Sequence, residues 1–376
     1  MQLHVILIRG MVRPNEYPAC VMCLRTVLHE GESMKKTDSA PAAKRVTITD
    51  VAREANVSIA AVSRAMNPEG SSSPEMRSRI LAVAERMGYK PNRLARGIKS
   101  QSSLIGILVT NFENPVYLAI LSEFSAAIQR HNCHTLLINV NTEKSISEAV
   151  SLVMEYHVDA LIVTSASVPP ELVEACAKQN TPVAIFGRDG EDSGACVVTC
   201  DDVEMGRMAA DHLIDLGYRR LAYVGASTKE QATLDRKRGF IERLEQRGLT
   251  LHGVGEGHRH SYDAGYEATC ELFAEAEVIP DSIFYFDDIM ACGGMDAIRH
   301  EFSHRIPQDI GIVGVDDIRF ASSKSYDLTT ICQPFTEMVN KTVSLLFARI
   351  KQGGMAPSRV IMPCQITQRG STRHVN

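Results

Sequence analysis

From residue 46 onward the apolar positions are spaced with two different periods. In residues 46–89 they recur at helical spacing. Ile48, Val51, Ala52 and Ala55 make one stripe, and Ala61, Val62, Ala65 and Met66 a second. Ile80, Val83, Ala84 and Met87 make a third. Asn56 and Val57 form the turn between the first two helices, and Ser58 is placed to cap the second. Ser73 caps the third, Pro74 takes its first position and Gly88 ends it. Three short helices are predicted. From Leu104 the pattern changes to short apolar runs alternating with amphipathic stretches. The runs "LIGILVT", "HTLLINV", "DALIVTS", "PVAIFG", "RLAYVG", "SIFYF" and "IGIVGV" read as strands. Stretches such as "NPVYLAILSEFSAAIQRHN" and "VEMGRMAADHLIDLGY" between them read as helices. Strand–helix units in this order predict parallel sheets covered on both faces, and the length predicts two α/β lobes. "VVTCDD" and "GVDD" are the expected crossing points. "GVGEGHRH" lacks dinucleotide-binding spacing and reads as a loop.

The expected organisation is an N-terminal extension over 1–45, a three-helix head over 46–90, a linker over 91–103 and a two-lobed core over 104–376. Lobe 1 takes about 104–199 and 317–331, and lobe 2 about 200–316 and 332–367. Residues 1–43 carry no period, and Met34 is read as the true translational start, the alternative being a genuine disordered extension. The run "VILI" is too short for a signal-peptide core, and no run approaches the roughly 20 apolar residues of a membrane helix. The ten cysteines are scattered, as expected of free thiols in a reducing compartment. Cys20 and Cys23 have metal-ligand spacing but no second pair, and no metal is expected.

Charge changes the picture. The chain carries a net −5, yet residues 44–100 hold eleven Lys and Arg against five Asp and Glu, a local +6, leaving −11 for the rest. A basic head on an acidic body fits one segment that meets a polyanion. Two short helices joined by a tight turn and braced by a third make a helix-turn-helix. Its second helix turns Ile59, Ala60, Ser63, Arg64 and Asn67 outward. Arg64 can grip a guanine edge bidentately, and Ile59 or Ala60 can lie on a thymine methyl. Ser58, Ser63 and the helix-start amides suit phosphate oxygens. A three-helix bundle of no special purpose fits the apolar pattern as well; the charge favours DNA.

Read together, "TITDVAREANVSIAAVSRAMN", "YKPNRLARGIKS", "NPVY", "DHLIDLGYRRLAYVG", "RKRGF", "IPQDIGIVGVDD" and "LTTICQP" resemble the lactose-repressor/galactose-repressor family of bacterial transcription regulators, from Val46 to Thr372. The resemblance implies a homodimer on a pseudo-palindromic, double-stranded operator in the cytoplasm. It also implies a periplasmic-binding-protein-like core whose cleft takes a small effector, a sugar or sugar derivative before a purine or nucleoside. Thr47, Ile48, Thr49, Ser73 and Asn92 join the expected DNA contacts. In relatives "PNRLARGIKS" becomes a helix on DNA, with a leucine wedged into the central base step where Ile98 stands here. Arg93, Arg96 and Lys99 would then meet phosphates and Ala95 the groove floor. For the effector, the resemblance points to Asp288 and Arg236, with Arg188, Asn114 and Val116 by position and His260 where relatives place an aromatic ring. Against this, Asp287 could serve only as a helix cap, and Arg236 could pair with Asp235 or Glu230 on a solvated face. No cofactor is implied. A transport-type solute-binding protein shares the core but lacks the head, and a nucleotide-dependent enzyme would need a phosphate loop or nucleophile–base pairing that is not in the sequence.

Overall fold

The computed structural model describes residues 46–67, 70–89, 102–109, 112, 114–140, 143–164, 170–188, 194–226, 230–352 and 357–373. The expectations for residues 1–45, including Met34, Cys20 and Cys23, lie outside them. So do those for Asn92, Arg93, Ala95, Arg96, Ile98 and Lys99. Two compact units divide the chain, Met1–Pro91 and Asn92–Asn376.

In the first unit α1 (Ile48–Glu54), α2 (Ile59–Met66) and α3 (Pro74–Arg86) follow the three apolar stripes. Val51, Ala52, Ala55, Val62, Ala65, Ile80 and Ala84 bury together. Thr47 and Asp50 form a reciprocal capping box on α1, and Asn56 takes a left-handed φ of 49° to turn the chain into α2. The Ser58 hydroxyl accepts from the Ala61 amide at 3.2 Å. Removing that cap in Ser58→Ala costs a helix about 1 kcal/mol. The expected outcome is roughly fivefold faster hydrogen exchange of the α2 amides in the full chain; unchanged exchange would show that the cap contributes nothing.

The second unit holds two six-stranded sheets. The first contains β1 (Leu104–Val109), β2 (His134–Asn139), β3 (Ala160–Val163), β4 (Val183–Phe186), β5 (Cys196–Cys200) and β11 (Ser358–Met362). Its order is β11-β5-β4-β3-β1-β2, and all its pairs are parallel. In the second are β6 (Leu221–Ala226), β7 (Gly253–Gly257), β8 (Ser282–Tyr285), β9 (Gly311–Val315), β10 (Thr329–Cys332) and β12 (Gln365–Thr367). The order there is β12-β10-β9-β8-β6-β7, with only β12 antiparallel. Helices α4 (Pro115–Gln129), α5 (Glu143–Glu155), α6 (Pro170–Lys178) and α11 (Phe335–Gln352) go with the first sheet. Helices α7 (Asp202–Asp215), α8 (Gln231–Gln246), α9 (Tyr262–Glu275) and α10 (Asp288–His300) go with the second.

Three expectations need correction. The chain crosses between lobes after Cys200, after Cys332 and after Met362. β10 therefore belongs to lobe 2, not to lobe 1 as 317–331 would require. α11 and β11 belong to lobe 1, where α11 packs on α4, β4 and β5. "GVDD" is no crossing: Asp316 and Asp317 take left-handed φ of 111° and 55°, and the chain runs on through residues 318–328 to β10, parallel to β9 in the same sheet. "GVGEG" is strand β7, not loop. α9 lies so close to it that a Cβ on Gly255 would come within 2.8 Å of the Ala268 carbonyl, so glycine there serves packing rather than a turn.

Candidate functional site: a recognition helix and an interlobe cleft

On the head, Ile59 is 48% exposed, an unusual position for a large apolar side chain. Ala60, Ser63, Arg64 and Asn67 are exposed beside it. Thr49 is exposed too, whereas Ile48 is half-buried against the three-helix core and acts there as a packing residue. Thr47 donates its hydroxyl to Asp50 at 2.6 Å, and Ser73 caps α3 by accepting from Met76. One residue that sequence reasoning missed is Arg77. Its guanidinium donates to the carbonyls of Asn67 at 2.8 Å and Gly70 at 2.7 Å, pinning the segment that leaves α2. Gly70 passes so near α2 that a Cβ would strike the Arg64 carbonyl.

In the core, a cavity of about 70 Å³ lies between the lobes. It sits beyond the carboxyl ends of the strands, where α/β sheets bind ligands. Asn114, Val116 and Tyr117 reach it from the start of α4, and Phe186 and Arg188 from the end of β4. Glu230, Arg236, His260, Phe286, Asp287 and Asp316 face them from lobe 2, with Gln333 and Phe335 on the second crossing. Five of the six expected residues, Asn114, Val116, Arg188, Arg236 and His260, therefore line one cavity.

Asp288 does not. It is fully buried, accepting from the Thr330 hydroxyl at 2.6 Å and the Ile318 amide at 2.9 Å. Burial first, then the Asp316 charge, pushes its carboxyl well above the carboxylate range. Its neighbour Asp287 lines the cavity instead. The helix N-cap geometry decides this: Asp287 Oδ1 accepts from the Met290 amide at 2.9 Å, and Oδ2 accepts from Asn114 Nδ2 at 3.1 Å across the cleft. Capping and site membership thus coincide in one residue.

Arg236 is not on a solvated face. Its Nε donates to Asp202 at 2.7 Å and Nη1 to the Phe286 carbonyl at 2.7 Å. Its Cζ stands 4.3 Å from the Phe286 ring centre. The His260 ring lies against the same ring, its centre 4.1 Å away and its plane tilted by 33°. Its Nε2 lies 3.4 Å from Glu230 and its Nδ1 3.8 Å from Asp287, yet neither buried ring nitrogen makes an aligned hydrogen bond. Arg188 lies 3.5 Å from Glu230 and donates to the Tyr117 hydroxyl at 3.4 Å. Burial raises the Glu230 carboxyl, but the His260 ring and Arg188 outweigh it, so its pKa is lowered. Asp287 is raised by burial against the pull of His260. Asp316 accepts from Gln333 Nε2 at 2.7 Å and is pushed up to about 7 by burial, with Arg236 opposing and Asp287 adding to the rise.

A carboxyl raised in the fold binds more protons than the unfolded chain between its ordinary pKa and about 7. Stability from Asp316 is therefore greatest at low pH and is lost as pH rises toward 7. The expected result is that Asp316→Asn flattens this part of the profile and raises the melting temperature at pH 8 by roughly a few degrees. A parallel profile in the variant would refute the assignment.

Among the described residues no helix is long and apolar enough to cross a membrane, and no cluster of metal-binding side chains is present. The model for bacterial regulatory proteins of the lacI family matches residues 47–92, and that for a periplasmic binding protein-like domain matches residues 210–372. Catabolite control protein A of Priestia megaterium is 30% identical over 334 residues, covering 87% of this chain and 99% of that protein. Its counterpart in Staphylococcus xylosus is 27% identical, over 87% of this chain and 99% of that protein. Among solved structures, the lac repressor dimer bound to operator and the anti-inducer ONPF superposes with a TM-score of 0.76 at 23% identity, covering 88% of this chain and 99% of that one. The cellobiose complex of the regulator CelR gives 0.65 at 24% identity, covering 87% and 100%. Joined to a helix-turn-helix head and a two-lobed core with a polar cleft, these matches place the chain in the lacI family of bacterial regulatory proteins: it is a DNA-binding transcription regulator with an effector-binding domain, not an enzyme.

Proposed function

We propose that the protein is a repressor that binds a pseudo-palindromic operator as a homodimer in the cytoplasm and is switched by a small, neutral polyol or sugar in the interlobe cleft. The exposed face of α2 supplies the DNA contacts: Arg64 to a guanine edge, Ile59 and Ala60 to thymine methyls, Ser58, Ser63 and Asn67 to the backbone and groove edge. Thr47, Ile48, Thr49 and Ser73 add contacts at the starts of α1 and α3 through their amides and hydroxyls. Asn92, Arg93, Ala95, Arg96, Ile98 and Lys99 would complete the interface in the segment joining head to core.

The observation that carries the effector reading is the charge balance of the cleft. Asp202, Glu230, Asp287 and Asp316 surround two guanidiniums, each already committed: Arg236 to Asp202 and Arg188 to Glu230. An anionic ligand would have to break one of these pairs, whereas hydroxyls can donate to the carboxylates and accept from Asn114, His260 and the arginines. The Asn114–Asp287 and Arg188–Glu230 contacts also join the lobes across the cavity. The cavity is far smaller than the roughly 300–1,000 Å³ typical of ligand sites, so a ligand replaces these bridges as the lobes adjust. Only a ligand with different affinity for the two lobe arrangements shifts their populations.

A thermal-shift screen of neutral sugars and polyols, sugar phosphates, sugar acids and nucleosides tests this. Neutral polyols should stabilise the wild-type protein but not Asp287→Asn. Stabilisation by sugar phosphates or nucleosides alone would reject the proposed ligand class.

A further inference from the structure

Each of the three crossings between the lobes carries a cysteine. Cys200 ends β5 before the first, Cys332 ends β10 before the second, and Cys364 lies on the third, between β11 and β12. Strand register draws them together: Met362 pairs with Cys200, and Gln365 pairs with Cys332, so Cys364 falls between the two pairs. The Cys200 thiol is buried, 3.6 Å from the Met338 thioether, and interacts electrostatically with the Cys364 thiol. Cys364 itself is half-buried, open to small solutes. The crossings are also wired to the cleft. Asp202, two residues past Cys200, holds Arg236, and Gln333, next to Cys332, holds Asp316.

We propose that Cys364 and Cys200 are a redox modification site, joined by peroxide into a disulfide that fastens the first crossing to the third. That such fastening would alter the effector switch rests on the function proposed above; the thiol chemistry does not. The Cys364 sulfur attacks hydrogen peroxide, the O–O bond breaks, and a sulfenic acid and water result. The Cys200 sulfur then attacks the sulfenic sulfur. The S–O bond breaks, the S–S bond forms, and the Cys200 proton leaves with the hydroxide as a second water. The two sulfurs together lose two electrons, and peroxide is reduced to two waters. Cys364 is the point of attack because it is the more accessible of the pair, while burial and the influence of Cys364 hold the Cys200 thiol in its protonated form. The charged groups facing Cys200 are Asp202, which opposes its ionisation, and Arg236, which favours it. Cys332 is raised by burial, Asp317 and Cys364, with Arg369 opposing, and it is the less reactive neighbour.

The test uses the full chain, reduced, freed of reductant and exposed to hydrogen peroxide. Expected are the loss of two titratable thiols per chain, a Cys200–Cys364 linked peptide by mass spectrometry, and recovery of both thiols with dithiothreitol. Cys332→Ser should still form the link, and Cys364→Ser should lose it while folding normally, since that side chain is partly exposed. Amide exchange at residues 200–202, 364 and 365 should slow at least tenfold on oxidation. A link through other cysteines, conversion of Cys364 to sulfinic acid with Cys200 untouched, or equal thiol loss in Cys364→Ser would overturn the site. Unchanged exchange in a linked protein would overturn the fastening of the crossings. None of these readouts depends on which DNA or effector the protein binds.

Discussion

Replacing Arg64 with alanine is expected to erase base discrimination at one position of each half-site while leaving non-specific DNA binding nearly intact. Arg64 is exposed in the last turn of α2, whose buried side is held by Val62 and Ala65. The fold therefore loses nothing when it is shortened. A bidentate arginine–guanine contact is worth about 1–3 kcal/mol of discrimination, roughly 5- to 150-fold per half-site. In a two-fold symmetric complex both half-sites lose it together. Anisotropy titrations against the operator and against a scrambled duplex, over a range of salt, separate the effects. Specific affinity should fall steeply while the scrambled duplex and the salt slope change little. Equal loss on both duplexes would make Arg64 a phosphate contact.

The largest stability effect is expected in the cleft. Asp202→Ala leaves the Arg236 guanidinium, 6% exposed at its side chain, without its carboxylate partner at 2.7 Å. Breaking a buried pair from one side costs about 3–5 kcal/mol, a large share of a typical total of about 5–15 kcal/mol. The melting temperature should fall by several degrees, and ligand-induced stabilisation should vanish with it. A double variant, Asp202→Leu with Arg236→Met, separates the two roles, because apolar residues of similar volume often replace a buried pair at little cost. It should regain most of the stability and none of the ligand response. Recovery of the response would show that Arg236 only braces the fold. A stable Asp202→Ala single variant would show that water or another group already serves Arg236.

The head was legible because its signals are local: Ser58 and Ser73 cap within three residues, and the apolar stripes repeat every turn. The strands of the core were legible wherever their two faces are apolar, as in "LIGILV". β7 was not, since its glycines are set by the nearness of α9, a fact of tertiary packing. The allocation of segments to lobes was equally hidden. Whether "LTTIC" returns to the first sheet or stays in the second depends on where the chain runs after two left-handed aspartates, not on its own composition.

The candidate site shows the same division. "FDD" offers two adjacent carboxylates, and the resemblance pointed to Asp288. The N-cap geometry turns Asp287 toward the cavity and Asp288 into the core, a choice of one residue that no periodicity records. Arg236 was found, but its partner Asp202, 34 positions away, was not. Tyr117, Asp316 and Gln333 stand inside motifs that carried the resemblance, and Glu230 was considered only as a surface partner of Arg236; none was read as a cleft residue, because different elements bring them there. Arg77 was missed for a similar reason, its partners being backbone carbonyls.

Occupancy of the cleft is expected to change DNA binding by the head. The most direct measurement is the affinity of the full-length protein for the fragment it enriches from its own genome, with and without the polyol that stabilises it. Wild-type affinity is expected to change at least tenfold, about 1.4 kcal/mol of coupling, and affinity of Asp287→Asn is expected not to change. A ligand that fills the cleft of the wild-type protein and leaves operator affinity unaltered would contradict the account.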